Sequence, residues 1–161
     1  MAVTADIVAT YRAPGRVMAR LMATGQREDR ALVYVMGFCV LSFVAQMPVL
    51  ARRAHLEGTE LNALLGGALL GTVFILPLAL YLLAAMSHLV ARAVGGKGTW
   101  FGARLALFWS LLASTPLILL HGLVAGFIGD GPVQMAVGLL WLAVFSWFWL
   151  SCLRRAERSA E

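Results

Sequence analysis

Four polar side chains stand inside otherwise apolar stretches of this chain: Gln46, Asn62, His121 and Gln134. Polar groups are costly in hydrocarbon, so each needs a partner or a task. Gathered in one place, they could form a small hydrogen-bonding site for a lipid headgroup or a proton. Paired between helices they would act as glue, each bond worth ~0.6–2 kcal/mol. No carboxylate joins them, so the acidic member of a proton relay is missing. A second group is cationic: His88 and Arg92 share a helical face, and Arg104 follows across a loop. These residues, with Arg12, Arg16 and Arg20 near the N-terminus, could grip an anionic headgroup. They could equally snorkel to the interface as membrane-flanking charges do.

Other constellations fail on inspection. Ser114 and Thr115 precede Pro116 with His121 nearby, but a serine nucleophile also needs an oriented base and an oxyanion site. Hydroxyls beside an intramembrane proline satisfy the backbone carbonyls it frees. Gly95-Gly96-Lys97-Gly98-Thr99 looks like a phosphate-binding loop, yet Gly98 follows the lysine where Ser or Thr is required. Ala91 also occupies the position of the first glycine of that motif. No zinc-protease helix motif or paired intramembrane aspartates are present, and Cys39 and Cys152 lack the spacing of a metal or disulfide framework. The expectation is a non-enzymatic protein with no catalytic residue, metal or cofactor.

The elements that must position these residues are apolar helices. Of the 161 residues 61% are hydrophobic and 13% charged, with a mean hydropathy of +0.83. Soluble domains carry about 25% charged residues. The longest run, Leu61 to Val94, is broken by charge only at Arg92. A helix rises ~1.5 Å per residue, so ~20 residues cross a ~30 Å hydrocarbon core. The fold class predicted is therefore all-α: an integral membrane bundle of four transmembrane helices over residues 31–51, 61–94, 103–128 and 133–153. Pro48 should lie in the last turn of the first span, and Pro77 and Pro116 should bend the second and third. Ala63, Gly67 and Gly71, with Gly66 beside them, form a small-residue ridge, as do Gly122 and Gly126; such ridges let another helix approach closely.

Residues 1–30 read as a cytoplasmic amphipathic arm and residues 31–161 as the transmembrane domain with a short basic tail. In the arm Ile7, Val8, Tyr11, Met18, Leu21 and Met22 recur at helical spacing, with Arg12, Arg16 and Arg20 on another face and a break near Ala13 before Pro14. Two placements fit that pattern, a helix in the membrane interface or one packed on the protein's own spans. No cleavage site of a signal peptide follows the first apolar run. Of the thirteen Lys and Arg residues, all but Arg52 and Arg53 fall on one side of a four-span topology, which predicts cytoplasmic termini. The excess of base, +5 in formal charge, sits beside apolar runs and so suits anionic lipid and not nucleic acid.

The basic amphipathic lead-in, the Gly95–Trp100 loop and the helix carrying Ser114-Thr115-Pro116-Leu117 resemble the Yip-domain family of polytopic membrane proteins, over roughly residues 10–153. Family members carry five spans, whereas four are resolved here. The resemblance implies a short bacterial-type member in the cytoplasmic (inner) membrane. It brings no catalytic residues, and the Rab-type partners of eukaryotic members do not carry over. The expected function is that of a membrane scaffold or accessory subunit, holding another integral membrane protein or a second copy through its small-residue ridges and organising anionic lipid. The alternative is a small oligomeric transporter or channel lined by the polar cluster.

Overall fold

The computed structural model describes residues 3–158, and the regular structure among them is helical. Two short helices come first, α1 (Val3–Thr10) and α2 (Pro14–Ala23). After α3 (Glu28–Glu57) a long helical stretch comprises α4 (Leu61–Leu69), a π-helical segment (Leu70–Ile75) and α5 (Leu76–Ala93). The bundle is completed by α6 (Trp100–Ala113), α7 (Thr115–Phe127) and α8 (Pro132–Arg158). Three stretches, Glu28–Glu57, Leu61–Ala93 and Pro132–Arg158, are long and apolar enough to cross a membrane; α6 and α7, bent by 46°, make a fourth if counted as one span. Phe74 and Ile75 in the π-helical segment, Leu78 and Leu82 on α5 and Met135 and Leu139 on α8 are all exposed. So large an apolar surface suits lipid contact.

The helices outrun the apolar segments that announced them. α3 starts at Glu28 and ends at Glu57 instead of spanning 31–51, so Pro48 lies in its interior and not in its last turn. The extension is held at one end by Glu28, which pairs with Arg104, and at the other by Arg53 and Glu57, 3.0 Å apart one turn on. α8 likewise continues from 153 to Arg158. The third predicted span, 103–128, is not one straight helix: it starts at Trp100 and breaks between Ala113 and Thr115. Pro116 has no N–H for the Leu112 carbonyl, and Thr115 Oγ1 donates to that carbonyl at 2.7 Å instead. Ser114 Oγ donates to Leu111 O at 2.8 Å, so both hydroxyls are committed to the backbone at the bend.

Pro77 acts differently. Its ring would clash with the Val73 carbonyl in a regular α-helix. The preceding turn widens instead, with the Leu76 N–H bonded to Gly71 O, and the helical stretch continues from Leu61 to Ala93.

α6 is the core of the bundle. From Phe101 to Ala113 every residue except Arg104 is buried, with Phe108 and Trp109 among the largest enclosed side chains. The N-terminal arm packs into this core. Val17, Met18 and Leu21 of α2 are buried with Phe108, Trp109 and Cys152, so the apolar stripe of α2 faces the protein's own helices. At the α1–α2 turn, Trp109 Nε1 donates to Thr10 Oγ1 at 3.1 Å and Tyr11 meets Phe148 edge-on. The arm and the spans therefore share one core.

The two glycine ridges have opposite surroundings. A Cβ on Gly122 would overlap the Ala45 carbonyl, and one on Gly126 would stand 2.8 Å from the Pro48 carbonyl carbon. At Gly66, Gly67 and Gly71 nothing lies within 4 Å of such a Cβ. Gly122→Ala should therefore destabilise the bundle by ~1–3 kcal/mol, since backbone must move. Gly67→Ala should be neutral or stabilise by up to ~1 kcal/mol through helix propensity. Thermal unfolding of the two variants in detergent checks the contrast; equal behaviour would contradict the α3–α7 contact.

Candidate functional site

Toward one end of the bundle lies a cavity of about 580 Å³ between α3, the π-helical segment, α5, α7 and α8, with Leu111 of α6 at its inner side. Gln46, His121 and Gln134 line it, so three of the four polar residues singled out in the sequence come together. Asn62 does not; it lies exposed in the first turn of α4, away from the cavity wall. Its place is taken by Thr72, which the π-helical widening turns toward α3. Gln46 Nε2 donates to Thr72 Oγ1 at 2.9 Å and to Ser42 O at 3.2 Å. That pair is interhelical glue of the kind expected. Ser42 Oγ is buried without a hydrogen-bond partner, and it too lines the cavity. Neither Ser42 nor Thr72 stands out in the sequence, because single hydroxyls in apolar helices ordinarily bond their own backbone.

The wall is otherwise mostly apolar and carries no Lys, Arg, Asp or Glu. Trp141 lines it as well, its Nε1 donating to Ser114 Oγ at 3.1 Å. Just beyond the cavity Arg52 Nη1 lies 3.4 Å from both Gly126 O and Phe127 O, where a cation suits the carbonyl end of α7.

At the other end of the bundle, the cationic group is dispersed. His88 is buried, 1% exposed, so it cannot meet a headgroup as expected. Its ring lies 4.3 Å from that of Trp100, and its Nδ1 is 3.8 Å from Glu157 Oε1. Arg104 is paired with Glu28. Arg92 is exposed at the end of α5. Arg12 and Arg16 are exposed on the outer face of the arm, whereas Arg20 pairs with Asp6 at 3.1 Å. The six do not form one site.

The glycine-rich loop owes its composition to helix ends and not to a phosphate. Gly95, with φ +94°, and Gly96 close α5: their N–H groups bond Arg92 O at 3.0 Å and Ala91 O at 2.8 Å. Thr99 caps α6 by accepting from the Gly102 N–H at 3.1 Å. Between them the Gly98 N–H donates to Glu157 Oε2 at 2.7 Å, and a Cβ on Gly98 would stand 2.7 Å from that carboxylate. Glu157, a tail residue with no motif around it, thus fastens α8 to the α5–α6 loop.

Helices of this length and apolarity, with lipid-suited outer faces and a polar-lined cavity, define a multi-pass helical membrane protein. Comparison with family models, curated proteins and solved structures finds no match.

Removing the Glu157 carboxylate should release the loop. In Glu157→Ala, amide exchange over residues 94–99 should quicken at least ~10-fold, the value of one charge-assisted hydrogen bond. Hydrogen-exchange mass spectrometry reads this; unchanged protection would show that the caps alone hold the loop.

Proposed function

We propose that this chain is a non-enzymatic membrane scaffold or accessory subunit, which binds a partner transmembrane helix along Ala63, Gly67 and Gly71. The observation that supports this is the contrast between the ridges: Gly122 and Gly126 are covered by α3, while nothing covers Gly66, Gly67 and Gly71. Glycine in a helix costs ~1 kcal/mol relative to alanine. At the first ridge close packing offsets that cost; at the second, a partner helix would do so. A second copy is the simplest occupant, because a small-residue ridge is self-complementary about a two-fold axis.

In this reading the bundle has four spans, with α6 and α7 forming one broken span, in a bacterial inner membrane. The termini and the α5–α6 loop face the cytoplasm, as the Lys and Arg distribution asks. Arg12, Arg16 and Arg92, exposed there, attract anionic lipid, each contributing ~1 kcal/mol near a charged surface. Kinship with Yip-domain proteins belongs to the same reading and rests on the sequence motifs.

The transporter alternative draws on the cavity with Gln46, His121 and Gln134. An ion path needs a continuous polar or water-filled lining, whereas this wall is mostly aliphatic and aromatic. Binding therefore fits it better than conduction.

Native extraction of the membrane followed by mass spectrometry tests the scaffold. A stoichiometric complex, with a second copy or another membrane protein, is the expected result. Gly67→Leu with Gly71→Leu should dissociate it while the variant stays folded. A lone chain carrying only lipid, or a complex indifferent to both substitutions, would contradict the proposal.

A further inference from the structure

The polar cavity has features that glue alone does not explain. Gln46 and Thr72 satisfy each other, but His121 and Gln134 have no hydrogen-bond partner among the described residues, and Ser42 Oγ is buried without one. Three unpartnered polar groups from α3, α7 and α8, Ser42 buried and His121 and Gln134 half-buried, thus line one partly open cavity. In hydrocarbon each such group costs free energy until something pairs with it. At about 580 Å³ the space lies in the range that holds small molecules and cofactors.

The chemistry of the wall narrows the occupant. No Lys, Arg, Asp or Glu lines the cavity, so a charged headgroup would be buried without a counter-ion. The serine hydroxyl donates and accepts, the glutamine amide does both, and the imidazole donates from one nitrogen and accepts at the other. Such a set matches a neutral headgroup built of hydroxyl and carbonyl groups. The remaining lining, with Phe38, Leu76 and Phe145 among it, matches an apolar chain. We propose that this cavity is a binding site for a neutral amphiphilic lipid, one whose hydroxyl and ester carbonyls pair with Ser42, His121 and Gln134. The unpartnered groups lie on α3, α7 and α8, and none of Ala63, Gly67 and Gly71 lines the cavity, so the site stands or falls independently of the scaffold reading.

Photoactivatable diacylglycerol and photoactivatable phosphatidylglycerol, each incorporated into membranes containing the full chain, test it. The diacylglycerol probe should crosslink to peptides of α3 and α7 that line the cavity and be displaced by unlabelled diacylglycerol. The charged probe should label only outer helix faces. His121→Leu with Gln134→Leu keeps the apolar volume and removes two hydrogen-bonding groups; it should lower cavity labelling about 10-fold. Its melting temperature reports whether the bundle remains intact, and Gln134→Asn, which retains the amide, should restore part of the labelling in a His121 background. Equal cavity labelling by the charged probe, or undiminished labelling of a folded leucine variant, would overturn the proposal. So would diacylglycerol crosslinks confined to outer faces.

Discussion

The close approach of α7 to α3 is the contact on which the rest of this bundle depends. Gly122 and Gly126 present no side chain, so α7 lies against the backbone of α3 at Ala45 and Pro48. Gln46 follows Ala45 and His121 precedes Gly122, so the contact that locks the two helices also brings these side chains to one cavity. The bend at Ser114–Pro116 serves the same contact. α6 runs through the core, and the 46° turn redirects the chain so that α7 can lie along α3. The carbonyls freed by Pro116 are satisfied by the adjacent hydroxyls, so the bend leaves little polar backbone unpaired.

Opposite ends of the bundle are built for different purposes. Around the α5–α6 loop several charged groups are partnered internally: Arg104 with Glu28, Arg20 with Asp6, and Glu157 with the Gly98 N–H. Those contacts tie α1, α2 and α8 to the same end and make the arm part of the core. At the far end, polar groups line a space and several remain without protein partners. One end of the bundle thus pairs most of its polar groups within the protein, and the other leaves hydrogen-bonding capacity unused.

Much of the architecture was legible in the sequence because apolarity and proline act locally. The long apolar runs marked the helices, Pro14 marked the start of α2, and Pro116 with its hydroxyls marked a bend. Helix ends were less legible, since the partner of Glu28 at the start of α3 is Arg104, 76 residues away in the chain. Of the site, Gln46, His121 and Gln134 could be named because polar residues in apolar runs are conspicuous. Asn62 misled for the same reason, lying on the exposed face of α4. Thr72 was hidden because its orientation comes from a π-helical segment, and Glu157 because its partner is a backbone N–H 59 residues away. His88, grouped among headgroup ligands by the helical face it shares with Arg92, is instead buried beside Trp100 and Glu157.

We propose that the cavity at the polar end of the bundle is a binding site and not part of a path across the membrane. The most direct test is thiol accessibility in sealed vesicles, with single cysteines at Gln46, His121 and Gln134 and serines replacing Cys39 and Cys152. A membrane-permeant maleimide should react at all three positions. A charged, impermeant thiol reagent should reach them from at most one side. Labelling of the same position by the charged reagent from both sides would reveal a continuous aqueous path and contradict the account.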